Sequence, residues 1–442
     1  MIGLRRYLLH FAGFPKEIRL LLGMTTLATL NEGIFMTLFP LLLKALGRLE
    51  GSIGDILAVQ FISLAVFSLP AAALTQRIGR KKMFLAGSLL IAVSSIGYVA
   101  FADTFYVFLF AAALGCGMSL LQVNTAPFLH DYSCQDTQPY AFGLAAALGT
   151  GAMFVGTVAG GAIADTLARS LAGWIPLAQV PDSLLAKAYA VVLITSGALT
   201  LGIALLAALV HDRKWSPKPE GYLTRFRDLL KQRLTWSQVS YTLLIGIGAG
   251  MVVPFFPVFL RETLRAPASI VGGLQGISML IIALATLTTP LLIARFGRVR
   301  TVNISQAISL PFILGIAYGP MIVNQGYTAA QAIAFTGAMF IIRNALMNLV
   351  NPVNSQLLMD LYGKRQRLNI VSLNIMLFPL GRAIGAKVGG QMMADISYQA
   401  PYWGTFVLYA VGIVLYYFAY AAIEREFQRR VNAGIDTTNG ML

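Results

Sequence analysis

The feature that most constrains this chain is a succession of twelve apolar runs, each about the length a helix needs to cross a ~30 Å hydrocarbon core. The first six lie at 18–46, 54–76, 82–102, 104–130, 138–164 and 187–210. The second six lie at 236–260, 267–294, 300–319, 328–357, 368–393 and 402–423. They are numbered here as spans one to twelve. Only 12% of the residues are charged and 57% are hydrophobic, about half the charge of an ordinary soluble domain. Mean hydropathy is +0.72. The expected class is an all-α polytopic membrane protein, and soluble enzyme folds are excluded.

The runs divide the chain into a lead-in at 1–17, a six-helix bundle at 18–210, a linker at 211–235, a second six-helix bundle at 236–423 and a tail at 424–442. A net charge of +15 would suggest nucleic acid in a soluble protein. Here, about three quarters of the 33 lysines and arginines fall on the side of the N-terminus. By the positive-inside rule both termini are expected in the cytoplasm, and nucleic-acid binding is not. Short loops and two cysteines favour a bacterial inner (plasma) membrane, and nothing in the pattern calls for more than a monomer.

Cys116 and Cys134 stand about 27 Å apart along a helix, too far for a disulfide. No metal-type Cys/His spacing is present, so no metal or cofactor is expected. The start, with Arg5 and Arg6 before a short apolar run, has the outline of a signal peptide. Pro15-Lys16-Glu17 interrupts it and no small-residue cleavage site follows, which favours an amphipathic lead-in on the bilayer surface. The linker segment Tyr222–Leu234 sets apolar residues at helical spacing among cations, as a helix on an anionic leaflet or a plain solvated linker would.

Landmarks recur in order across the two halves. Gly33 and Pro40 in span one are spaced as Gly250 and Pro257 in span seven. From Pro40 to Gly79 is 39 residues, and from Pro257 to Gly297 is 40. Gly156, Gly160 and Gly161 in span five are echoed by Gly385, Gly389 and Gly390 in span eleven, and Val123-Asn124 by Val353-Asn354. The halves read as parallel six-helix repeats. The connection after span two, Arg77-Ile78-Gly79-Arg80-Lys81-Lys82, returns after span eight as Arg295-Phe296-Gly297-Arg298.

Twelve spans as six plus six, with a basic turn after the second and the eighth and a polar central linker, resemble the major facilitator superfamily over the whole chain. The family's turn reads roughly G-x-L-A-D-R-x-G-R-K. Arg77, Gly79, Arg80 and Lys81 match its latter part, while Ala72 stands at the leading glycine and Gln76 at the aspartate. In the second copy Ala294 holds the aspartate position and Arg295, Gly297 and Arg298 are kept. Both turns are therefore expected to lack their usual acidic partner. The family's fifth-helix pattern G-P-x-x-G-G is similar to Gly156-Thr157-Val158-Ala159-Gly160-Gly161, with threonine at the proline. Ala111 stands where many proton antiporters of the family carry a fourth-helix arginine. The resemblance implies alternating access about a central site lined by spans one, four, seven and ten.

Ionisable groups inside a membrane are costly and mark function by default. Four fall well inside the spans: Glu32, Arg343, Arg382 and Lys387. Glu32 follows Asn31 and shares a helical face with Thr25, Thr29 and Met36. It either couples a proton or meets a cationic ligand, or else it pairs with an interior cation. Span ten carries Arg343-Asn344 and then Asn348 and Asn351 as a polar stripe. These line a cavity or hydrogen-bond between helices. With the family's cavity helices in mind, Gln122, Asn124 and Tyr241 join Asn31, Arg343, Asn344, Asn348, Asn351, Arg382 and Lys387 as solute-contact candidates. Lys387 has snorkelling towards the outer headgroups or pairing to Glu32 as its alternative readings. Pro40 and Pro257 are hinge candidates, and the two basic turns are gate candidates.

No nucleotide-binding or nucleophile–base signature is present, so energy would come from an ion or solute gradient, or the protein is a uniporter. The expected function is proton-coupled export of a small amphipathic organic solute bearing an anionic group. Lipid or lysolipid movement and nutrient import are the alternatives within the fold, and a non-transporting sensor or scaffold the alternative outside it.

Overall fold

The computed structural model describes residues 14–101, 103–133, 137–211, 232–362 and 367–432. Most of the expected lead-in, Cys134, the linker stretch 212–231 and the last residues of the tail lie outside the described residues.

All twelve spans are helical. Among the described residues, eleven helices are long and apolar enough to cross a membrane. The twelfth, Arg367–Asp395, is 29 residues long and carries Asn374, Arg382 and Lys387 within its apolar run. Span one runs unbroken from Lys16 to Ala45 through Pro40. Span seven, by contrast, is cut into Arg233–Val252 and Phe256–Leu264. Two prolines in four residues, Pro254 and Pro257, remove two amide donors there, where one in span one does not stop the ladder. Span eight divides before Thr289–Phe296, and span ten into Ala329–Asn348 and Asn351–Leu361. Each second segment starts with a proline at its first turn, the position that tolerates it.

The chain forms two compact units. Unit one is Met1–Arg48, Val59–Pro217 and Arg265–Gly276; unit two is Leu49–Ala58, Lys218–Leu264 and Ile277–Leu442. Each unit thus takes in the first turns of a span whose remainder belongs to the other.

In unit one, spans one and five cross at glycines. A Cβ at Gly33 would stand 2.5 Å from the Met153 carbonyl oxygen, and one at Gly156 would collide with the carbonyl of Leu30. In unit two the equivalent glycines do the same for spans seven and eleven: a Cβ at Gly250 would strike the Arg382 carbonyl, and one at Gly385 that of Ile247. Small residues at these spacings let backbones approach where lipid supplies no hydrophobic drive. The repeat read from the sequence is therefore a repeat of helix crossings.

Span twelve completes unit two with a column of buried tyrosines. Tyr402, Tyr409 and Tyr416, each 1% exposed or less, recur every seventh residue, so they share one helix face.

Candidate functional site

In span one, Leu21, Leu22, Met24, Asn31, Ile34 and Thr37 are buried, while Thr25, Thr29, Glu32 and Met36 stay half-exposed. The polar face expected from spacing is thus the face left open. The threonine hydroxyls on it turn back onto their own helix, Thr25 to the Leu22 carbonyl at 3.0 Å and Thr29 to that of Thr25 at 2.9 Å. Asn31 is buried and its Oδ1 has no hydrogen-bond partner among the described residues. In span four, Asn124 is buried and donates to the Leu120 carbonyl at 2.7 Å, whereas Gln122 is exposed.

Span ten carries the stripe that the sequence outlines. Asn344 Nδ2 donates to Ser278 Oγ at 3.1 Å, Asn348 Nδ2 to the Asn344 carbonyl at 2.9 Å, and Asn351 Nδ2 to Asn348 Oδ1 at 3.2 Å. Arg343 is 4% exposed. Its guanidinium donates to Asn344 Oδ1 and to the Tyr409 hydroxyl, both at 2.7 Å, and stands 5.4 Å from the Tyr409 ring centroid. It makes no ion pair among the described residues. Tyr241 packs in the core of unit two, 4.6 Å from the Tyr416 ring, with its hydroxyl accepting from Gln306 at 2.6 Å.

Of the three cations of the sequence reading, Arg343 and Arg382 both stand within electrostatic reach of buried Tyr409. Arg343 is enclosed in span ten and Arg382 is half-buried in span eleven, while Lys387 is exposed with Nζ 3.5 Å from Asp55 Oδ1. The Lys387 ion pair is with Asp55 rather than with Glu32.

The first basic turn has an acidic partner after all. Arg77 is exposed, Gly79 takes φ 91°, and Arg80 Nη2 lies 2.5 Å from Asp131 Oδ2 in span four. Lys81 Nζ donates to the Ala208 carbonyl at 2.5 Å and the Val210 carbonyl at 3.3 Å. The acid missing from the motif is supplied from another helix, which no local pattern can reveal. At the second turn Gly297 takes φ 79°. The Glu424 carboxylate caps the helix that follows, accepting from the amides of Arg298 at 2.6 Å and Val299 at 3.0 Å. Arg295 lies 5.4 Å from the Phe296 ring centroid.

At the opposite ends of the spans, away from the basic turns, lie two seams that the sequence pattern does not single out. In unit one the first turn of span eight sits on span five. Asp165 is 1% exposed and accepts from the amides of Ala268 at 3.2 Å and Ser269 at 2.7 Å. A Cβ at Gly161 would collide with the Ala268 carbonyl, and one at Gly272 with that of Thr157. Thr37 Oγ1 donates to Gln275 Oε1 at 2.7 Å. In unit two the first turn of span two sits on span eleven. There a Cβ at Gly390 would collide with the Glu50 carbonyl and one at Gly54 with that of Ala386. Buried Glu50 accepts from the Tyr398 hydroxyl at 2.5 Å. Burial, and then this bond to Glu50, hold the Tyr398 phenol above its ordinary pKa. Hydropathy ends span five at 164, but the helix runs on to Leu171, which is why Asp165 reads as a loop residue. A usable signal was its place four residues beyond Gly161, one helical turn along the same face.

Unit two also holds a buried polar network. Gln238 Nε2 donates to Asn374 Oδ1 at 3.0 Å, Thr242 Oγ1 donates to the same oxygen at 2.6 Å, and the Tyr420 hydroxyl donates to Gln238 Oε1 at 2.7 Å.

The sequence pattern that describes the Major Facilitator Superfamily matches residues 21–351 and 242–437. Among solved structures, the chain is similar to a point mutant of the nucleoside transporter NupG, with a TM-score of 0.73 and 14% identity over 92% of this chain and 100% of that one. It is similar to a bacterial homolog of the human lysosomal transporter Spinster in an inward-facing, unoccupied conformation, with a TM-score of 0.72 and 15% identity over 94% and 98%. A point mutant of the E. coli fucose:proton symporter FucP matches with a TM-score of 0.57 and 15% identity over 91% and 98%. An uncharacterized MFS-type transporter of Methanocaldococcus jannaschii is 25% identical over 135 residues, which are 29% of this chain and 34% of that protein's length. The chain belongs to the Major Facilitator Superfamily of integral membrane transporters.

Proposed function

We propose that the protein is a secondary active transporter working by alternating access, and that it couples export of a small amphipathic organic solute with an anionic group to proton movement. The observation that carries this reading is the set of ionisable groups inside the spans. Glu32 lies on the open face of span one in unit one, and Arg343 and Arg382 lie in spans ten and eleven of unit two. A carboxyl on an otherwise weakly polar helix face is suited to taking up and releasing a proton. Arginines within the membrane favour an anion with planar oxygens. The positive-inside pattern supports both termini in the cytoplasm in this reading, which sets the two glycine seams towards the outer face. Opening and closing of those seams is the outer gate in this reading, with Asp165 and Glu50 as their polar latches. The basic turns hold the cytoplasmic ends.

Two measurements test it. Purified protein is screened by thermal unfolding against organic anions, organic cations, sugars and lysolipids, at mildly acidic and neutral pH. A ligand of the folded state raises the transition by mass action. Organic anions are expected to stabilise, with the effect lost in Arg382→Ala; stabilisation by cations alone sinks the anionic-solute reading. In proteoliposomes Glu32→Gln is expected to abolish transport driven by a pH gradient while leaving counterflow exchange in place. Gradient-driven transport that survives the substitution removes the proton-coupling role.

Lipid or lysolipid movement is the second reading. It is favoured by an apolar groove of about 890 Å³ lined by Met251, Met321, Met392, Trp403 and Tyr318. Flexible thioethers adapt to acyl chains, and the Trp403–Tyr318 hydrogen bond of 2.9 Å is of the kind found at headgroup depth. Selective stabilisation by lysolipids in the same screen would favour it.

A further inference from the structure

Arg343 is a buried cation whose charge no described residue neutralises. Its hydrogen-bond partners among the described residues, Asn344 Oδ1 and the Tyr409 hydroxyl, are neutral. They occupy two of the five N–H donors of a guanidinium. Beside it, inside unit two, is a small cavity of about 10 Å³ lined by Arg343, Tyr402, Phe340, Phe256, Ile313 and Ile316, with Val252 and Val253 at the break in span seven. Tyr402 is 1% exposed, and its hydroxyl has no hydrogen-bond partner among the described residues.

We propose that this cavity is a binding site for a single halide ion, chloride under ordinary conditions, held by the guanidinium of Arg343 and the hydroxyl of Tyr402.

Three considerations select this occupant. The first is size: a space of this volume takes about one water or one monatomic ion. A carboxylate or phosphate group, with three or more heavy atoms, does not fit. The second is the sense of the hydrogen bonds. The polar side chains that line the cavity present donors, N–H from Arg343 and O–H from Tyr402, and its other walls are aliphatic or aromatic. A halide can accept from both groups at once; a water could accept from Arg343 and donate to the Tyr402 oxygen, so it is the charge that separates the two. The third is charge. An unpaired guanidinium at membrane depth is costly, and such groups are found with a counter-charge or in contact with water. A water in the cavity would solvate Arg343 without neutralising it. An anion does both. The broken helix of span seven suits the site too, because irregular backbone at membrane depth is tolerated where it lies within protein or beside a polar cavity.

The site is separate from that of the transported solute, which is too large for it. With a halide in place the charge of Arg343 is spent locally, and the field offered to an organic anion is that of Arg382.

The test uses the full chain in detergent or nanodiscs. Thermal unfolding is followed while sodium chloride or bromide replaces sodium gluconate at constant ionic strength. The expected result is a saturable rise in the transition with either halide and none with gluconate. Tyr402→Phe is expected to shift the halide midpoint about tenfold to higher concentration, the loss of one charge-assisted hydrogen bond. Crystals grown in bromide should show an anomalous peak between Arg343 and Tyr402. Equal transitions in chloride and gluconate overturn the proposal. So does a halide shift unchanged in Tyr402→Phe, which would place the ion elsewhere. If Tyr402→Phe does not fold, the bromide peak in the unmodified protein decides, and a water at that position refutes the site. The organic-anion screen run at a fixed, saturating chloride concentration reads the solute site alone, so either reading can fail without the other.

Discussion

The two basic turns are copies in sequence and opposites in chemistry. Both pivot on a glycine with positive φ, Gly79 at 91° and Gly297 at 79°, a conformation that costs a residue with a Cβ. At the first turn the side chains act as donors: Arg80 reaches Asp131 and Lys81 reaches the last carbonyls of span six. At the second turn the backbone donates, and the carboxylate of Glu424 in span twelve closes the start of span nine. A cation on a helix C-terminus and an anion on a helix N-terminus are the two favourable pairings with the helix dipole. Each half uses one of them. The difference also accounts for the poorer motif of the second copy. Where the amides are capped from another helix, the residues after Arg298 need not be cationic, and Val299 stands where Lys81 stands.

The largest effect is expected at the second turn. Glu424→Ala leaves two amides at a helix start without their cap and should cost about 2 kcal/mol of stability in chemical or thermal unfolding. Glu424→Gln, which keeps an acceptor but no charge, should cost about half as much. A loss for Glu424→Ala no greater than that for Arg80→Ala would break the contrast. Next in size, Gly79→Ala and Gly297→Ala should each cost about 1 kcal/mol from left-handed backbone strain. Near-equal values would confirm that the pivots are equivalent and only the clamps differ. The smallest effect belongs to Arg80→Ala, below about 1 kcal/mol, because the Arg80–Asp131 pair is 15% and 37% exposed and solvent screens it. Its loss should shrink further at high salt, whereas that of Glu424→Ala should fall by a smaller fraction, because the cap's hydrogen bonds persist when its charge is screened.

How much of this was legible beforehand depended on whether the cause was local. The span positions, the six-plus-six repeat, the glycine crossings and the two turns all follow from runs and spacings within a few dozen residues. The Asn344–Asn348–Asn351 stripe was legible for the same reason, since one helix carries it. Asp131 as partner of Arg80 was not, because the two lie on different spans and nothing in either neighbourhood marks them as a pair. Asp165 was hidden by a hydropathy boundary: a carboxylate ends an apolar run whether it meets water or the amides of another helix. Lys387 looked like an interior cation until Asp55, from a remote part of the sequence, was found beside it. Tyr402 and Tyr409 were visible as a seven-residue repeat, but tyrosines in a span signal packing as readily as a site.

The sequence by itself determined that this chain is a twelve-span helical membrane protein with an internal repeat. The bilayer leaves a backbone few ways to satisfy its hydrogen bonds, and length and polarity alone select among them. Only the tertiary structure decided how each charge is met: Asp131 for Arg80, span-six carbonyls for Lys81, backbone amides for Glu424 and Asp165, tyrosine and asparagine for Arg343. In a medium without water, a charge takes whichever partner the fold brings within hydrogen-bonding distance, and that distance is set between helices, not along them.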